Sequence, residues 1–329
     1  MDKERKFSAI AVVFGSCADR YVLEGYSPKV NFGEMLERAK KVPDLTGIEL
    51  VGGWHLQRDN AQEIVKQIAD AGLRVSTILP ELWSSAKWGL GSFAANDEKI
   101  RRQAVDEVKQ AMDLAAQIEC NTVCPWLGQD GYDYSFQMDY LKAWDRLIEG
   151  LRECADYLPT VKIAVEYKIK EPRTHCFVGT VGKAILLAKE VNRKNIGVTL
   201  DVGHALEAYE NMAESVALLQ QFGHLLFHLH LNDNYRLWDD DMIVGSVHTI
   251  ELLELLYWLD KIGYDGWYSL DMFPYRENGL KAATEAIEWI KGLFRVLDKI
   301  GQENIEKVIQ QGDATEVMKL LRQGLLPPR

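Results

Sequence analysis

The sequence of 329 residues predicts an α/β chain folded as a closed (β/α)8 barrel with a C-terminal helical extension. Three observations carry this prediction. Short apolar, β-branched segments recur eight times, and each is followed by a stretch with helical periodicity, the pattern of βα units around a parallel sheet. The rival open sheet would show a Gly-rich phosphate turn after its first strand, and F-G-S-C-A-D-R does not supply one. The length is one that a single large barrel fills. We place the barrel over residues 1–302 and a helical tail, too short to be a domain, over 303–329.

In chain order the predicted strands are S-A-I-A-V-V-F near 8, G-I-E-L-V near 47, R-V-S-T-I-L near 74, N-T-V-C-P-W near 121, K-I-A-V-E near 162, I-G-V-T-L-D near 196, L-F-H-L-H-L near 226 and W-Y-S-L-D near 267. A helix is expected over 97–118, with Asp97 at its N-cap. The apolar positions of the tail suggest packing on the barrel or on a neighbouring subunit.

Composition narrows the class. A hydrophobic fraction of 47% and a charged fraction of 26% suit a globular chain with a sizeable core. No apolar run approaches the roughly 18 residues of a membrane span. The charged, then briefly apolar N-terminus reads as a first strand and not as a signal peptide, so a cytoplasmic protein is expected. Five scattered cysteines (Cys17, Cys120, Cys124, Cys154, Cys176) argue against a disulfide framework, and Cys120 and Cys124 lack the second pair a zinc site needs. A formal charge of −11 opposes nucleic acid and favours a small neutral ligand or a cation.

In such a barrel chemistry collects at the C-terminal ends of the strands. The fifth strand ends with Glu166 and Lys168 on one face. The sixth ends with Asp201, followed by His204, with Gly203 allowing a tight turn. The seventh carries His228 and His230 on one face, and the eighth ends at Asp271. One such residue alone reads as a helix cap or a satisfied core group. Four successive strands ending this way point to a divalent ion, since each group is costly to bury unpaired. Asp239 and Asp241, just beyond the seventh strand, can point the same way and join His204 around a second ion, with Asp201 bridging. Asp240 faces away. Carboxylates with few imidazoles favour Mg²⁺, Mn²⁺ or Co²⁺.

These residues resemble the xylose-isomerase-like barrels, and within them the two-metal aldose–ketose isomerases of the xylose isomerase and L-rhamnose isomerase type. A-V-E-Y-K-I-K-E-P-R at 164–173 is similar to the family's E-x-K segment, L-D-V-G-H at 200–204 to its bridging carboxylate and histidine, and H-L-H-L-N with D-D-D to the strand-seven ligand and its D-x-D pair. The resemblance implies Glu166, Asp201, His230 and Asp271 around the first ion, and Asp201, His204, Asp239 and Asp241 around the second. W-G-L-G-S-F and C-P-W-L-G look like the family's aromatic wall, which makes Trp88 and Trp126 candidates to pack on the sugar. The histidine that assists ring opening is displaced here to His55, and Glu49 is the alternative participant.

The expected reaction is interconversion of an aldose and a ketose, most simply by a hydride shift between C1 and C2. Lys168 would stabilise charge on the carbonyl oxygen, and Asp241 would move the proton between hydroxyls. The nearest rival is a ketose 3-epimerase on the same barrel, and a more distant one is a metal-dependent endonuclease. Two divalent ions, an unphosphorylated monosaccharide, no nucleic acid, no membrane, and a homodimer or homotetramer complete the expectation.

Overall fold

The computed structural model describes residues 4–171 and 173–326. Pro172, within the E-P-R run, lies outside the described residues. Eight parallel strands close into a barrel in chain order: β1 (Lys6–Ile10), β2 (Leu45–Val51), β3 (Arg74–Leu79), β4 (Thr122–Val123), β5 (Lys162–Glu166), β6 (Ile196–Asp201), β7 (Leu226–Leu231) and β8 (Trp267–Leu270). β3, β5, β6 and β7 occupy their predicted segments in full. β1 stops at Ile10, because Ala11–Phe14 tightens into a 3₁₀ turn. β4 is shorter than predicted, for Pro125 has no N–H to continue the ladder. Its carbonyl still accepts from the Glu166 amide at 3.1 Å, which keeps the chain beside β5.

Helices surround the barrel: α1 (Phe32–Ala39), α2 (Ala61–Asp70), α3 (Glu98–Gln117), α4 (Tyr140–Tyr157), α5 (Val181–Val191), α6 (Val202–Glu207), α7 (Met212–Gln221), α8 (Thr249–Lys261) and α9 (Gly279–Ile300). Asp97 caps α3 by accepting from the Lys99 amide at 2.8 Å, which satisfies one of the free N–H groups of the first turn. The tail forms α10 (Gln302–Gln311) and α11 (Ala314–Leu325). α11 folds back on α9 at Gly324, where an added Cβ would come within 2.6 Å of Ile300. Lys299 donates to the Gly324 carbonyl at 3.1 Å across the same contact.

The core between barrel and helices is aliphatic, but the barrel interior is not. Glu49, Thr77, Glu166, Thr199, His228, His230 and Ser269 are all buried there. Strand register brings some of them side by side, pairing Asp201 with His230 and His230 with Ser269. All five cysteines are buried and free, consistent with packing. Among the described residues no helix is long and apolar enough to cross a membrane.

Candidate metal centre at the barrel mouth

Glu166 ends β5, Asp201 ends β6, His230 is the fifth residue of β7, and Asp271 follows β8 directly. Each offers one ligand atom to a group whose members all lie within 4.8 Å of one another. His230 faces this group with Nδ1, which stands 3.3 Å from Glu166 Oε1, 3.2 Å from Asp271 Oδ2 and 4.0 Å from Asp201 Oδ2.

A second group shares Asp201 and adds His204 and Asp239. Asp201 also caps α6, accepting from the His204 amide at 2.8 Å. That bond sets His204 one turn above Asp201. The His204 Nδ1 lies 2.9 Å from the Tyr167 carbonyl and donates to it, which leaves Nε2 to face Asp239 Oδ2 at 3.1 Å. Gly203 lies inside α6 and does not make the tight turn expected of it. Its role is space: a Cβ there would come 2.5 Å from Asn232 Oδ1 and 3.0 Å from Asp239 Oδ1. Asp241 stands beside this group and not within it, with Oδ1 at 3.4 Å from Asn232 Nδ2. Asp240 turns back on its own loop and accepts from the Tyr235 amide at 3.2 Å.

The donor set fits a divalent cation. Asp239 Oδ1 and Asp271 Oδ1 are buried and have no hydrogen-bond partner among the described residues. A buried carboxylate oxygen left so is costly unless a cation meets it. The acids compete for the available positive charge. The Asp201 carboxyl stands at about 7, since burial, Asp239, Glu166 and Asp271 push it up against the downward pull of the His204 imidazolium. Burial raises Asp241 as well, with Asp239 and Asp271 adding to it. Burial would lower His204, yet Asp201 and Asp239 outweigh it and hold the imidazole at about 9. Asp201, Asp241 and His204 thus hold protons more readily than usual, and a divalent ion would displace them. Oxygen-rich ligands with one imidazole per group are those of Mg²⁺, Mn²⁺ or Co²⁺. Glu166, Asp201, His230 and Asp271 would hold one ion, and Asp201, His204 and Asp239 a second.

Lys168 is buried beside the second group. Its ammonium is bound by Glu171 and by Asp239 Oδ2, the latter at 2.5 Å. Burial opposes the charge, but Asp239, Glu171 and Asp241 hold the lysine well above its ordinary range, so it stays cationic.

Aromatic rings cross the other side of the mouth. Trp54, Trp83 and Trp126 meet edge to face at 5.6 and 5.7 Å between centroids, and Lys168 Nζ stands 5.4 Å from the Trp126 ring. Trp88 is not part of this wall. It is fully buried, and its indole donates to Glu81 Oε2 at 3.2 Å. Trp88, expected on the aromatic wall, is thus buried away from it, and Trp83 stands in the wall between Trp54 and Trp126. His55 is half-buried, packs on Phe32 at 5.4 Å between centroids, and accepts from the Val51 amide through Nδ1 at 3.2 Å. Burial lowers it to about 4, so it is a neutral imidazole near pH 7. Glu49 lies beneath the ligand groups, fully buried, and is bonded to His228, His230 and Ser269. It is therefore shut off from the mouth where a sugar ring would open.

Three supporting residues escaped the sequence reading. Asn232 donates to Asp201 Oδ2 at 3.0 Å and reaches Asp241. Asp233 is buried and accepts from the Val247 amide at 2.8 Å and from His248 Nδ1 at 2.7 Å, which pins the loop carrying Asp239 and Asp241. Glu171 flanks Lys168. The signal for the first two was the N-D-N run after β7, polar residues where a strand leaves the core.

Comparison with known proteins follows the same lines. A family model described as xylose isomerase-like TIM barrel matches residues 36–293. Among solved structures, a D-tagatose 3-epimerase-like protein superposes with a TM-score of 0.68 at 21% identity, covering 89% of this chain and 98% of that one. An L-ribulose 3-epimerase gives 0.69 at 15% identity, covering 94% and 99%. A xylose isomerase domain protein from Alicyclobacillus acidocaldarius gives 0.66 at 16% identity, covering 88% and 98%. At these identities the likeness is one of fold.

Proposed function

The chain belongs to the xylose isomerase-like TIM barrel family, and on that premise we propose that it is a divalent-metal-dependent enzyme interconverting an aldose and a ketose. One observation carries this reading: a second acidic group, Asp201, His204 and Asp239, is joined to the first through Asp201. Bound divalent ions would hold sugar oxygens and supply Lewis acidity at the carbonyl. The chain's own residues do the rest. Lys168 offers a fixed positive charge to the carbonyl oxygen as charge grows there, in a corner poor in water. Asp241, whose carboxyl burial keeps protonated more readily than usual, carries a proton between neighbouring hydroxyl oxygens. Trp83 and Trp126 cover an apolar face of the sugar and exclude water, and the neutral imidazole of His55 would assist ring opening.

A second reading is ketose 3-epimerisation, and the comparisons taken alone favour it over the first, since the named neighbours include 3-epimerases of ketoses. Glu166 and Asp271 would then face the two sides of C3 as acid and base. Incubation of ketoses with Mn²⁺ in deuterated water separates the two. Solvent deuterium at C3 with a new C3 epimer supports epimerisation; an aldose product without C3 exchange supports isomerisation. Saturation at two Mn²⁺ per chain, measured by equilibrium dialysis, supports the two-ion arrangement, and one per chain removes it. An unphosphorylated monosaccharide as substrate and a homodimeric or homotetrameric assembly belong to the same proposal.

A further inference from the structure

Glu49, His228 and His230 form a third close group of ligand-type atoms. It differs from the other two in being internally satisfied. His228 Nε2 donates to Glu49 Oε1 at 2.6 Å, His230 Nε2 donates to Oε2 at 3.0 Å, and Ser269 adds its hydroxyl to Oε1. Glu49 itself is fully buried in the middle of β2, an apolar strand otherwise. A carboxylate buried so deeply, with its hydrogen bonds directed at His230 and at its own support in His228 and Ser269, points to a role at His230.

We propose that Glu49 is the positioning residue of the first cation site: by accepting from His230 Nε2 it fixes the ring so that Nδ1, and only Nδ1, faces Glu166, Asp201 and Asp271. His228 and Ser269 hold Glu49 in turn. A carboxylate behind a ligating imidazole fixes its tautomer and raises its basicity. The barrel makes this possible, for β2 and β7 are not neighbours in the sheet, and these side chains meet in its interior. The inference rests on the reading of Glu166, Asp201, His230 and Asp271 as a cation site.

The test is Mn²⁺ titration of the full chain, following free Mn²⁺ by electron paramagnetic resonance, in the wild type, Glu49→Gln and Ser269→Ala. An amide at 49 can accept from one histidine and must present N–H to the other, so E49Q should weaken the tight Mn²⁺ site by about 10- to 100-fold. S269A removes a bond to Glu49 without touching His230, and should leave that affinity within about threefold. A merely structural role would instead make the two losses track the fall in melting temperature measured in EDTA, and that outcome overturns the proposal. If E49Q does not fold, the wild type answers the question: nitrogen NMR of the Zn²⁺-loaded, histidine-labelled protein should show His230 protonated at Nε2 and bound through Nδ1, and binding through Nε2 overturns it. A wild type with no tight Mn²⁺ site rejects the cation-site reading itself, which the variants do not address.

Discussion

The two halves of the barrel end their strands differently. β5 to β8 carry Glu166, Asp201, His230 and Asp271 at or just beyond their C-terminal ends, groups that demand charge compensation. β2 to β4 lead into Trp54, Trp83 and Trp126, which offer flat apolar faces and almost no charge. The acidic half is crowded and buried, with Asp239 Oδ1 and Asp271 Oδ1 unbonded among the described residues. The aromatic half is self-packed and partly open, Trp54 being 48% exposed. A polyol has oxygens along its edges and C–H faces between them, so a site for one needs both kinds of wall. Lys168 stands where they meet, ion-paired to Asp239 and lying over Trp126.

Breaking the acidic half should have the largest effect. Asp201→Asn removes the carboxylate common to both groups; Mn²⁺ stoichiometry should fall below one per chain and turnover by about 10³-fold or more, several kcal/mol of charge stabilisation. Two retained ions in this variant would refute the shared role. Lys168→Met, at the boundary, should lower kcat by on the order of 10²- to 10³-fold while both ions still bind. Full activity there would remove Lys168 from the chemistry. Asp239→Asn should lose the second ion alone, read as a drop from two Mn²⁺ to one.

The aromatic half predicts a smaller and different pair of effects. Trp126→Ala should raise KM about tenfold with little change in kcat, the size of one aromatic packing interaction. Trp88→Ala should leave KM alone and cost roughly 3–5 kcal/mol of stability, as truncation of a core tryptophan does. The reverse pattern would restore Trp88 to the wall. The smallest effect is at His55, whose imidazole burial lowers from 6.5 to about 4. As pH falls below 6.5 the unfolded chain takes up a proton that the folded chain refuses until about pH 4, so stability is lost across that window. His55→Asn should flatten this part of the melting-temperature curve, and an unchanged curve would show that the ring is solvated.

Most of the acidic half was legible in the sequence because strand periodicity is local. Alternation places Glu166 with Lys168, and His228 with His230, on one face whatever the rest of the chain does. The eight-fold alternation was legible for the same reason, and Asp97 as a cap was legible because capping too is local. The aromatic half was less so. Trp83 and Trp88 lie five residues apart in one loop, and no periodicity says which of them points into the core. The indole of Trp88 was taken inward by Glu81, a contact fixed by the loop's path.

Glu49 marks the boundary between the two kinds of knowledge. From the sequence it is an acid in an apolar strand, which calls for a partner, and so the sequence by itself determined that something must neutralise it. Which group does so lies 179 and 181 residues away, in His228 and His230. Only closure of the barrel brings them together, because strand register decides which side chains share a layer of the interior, and register is set by the packing of all eight strands at once.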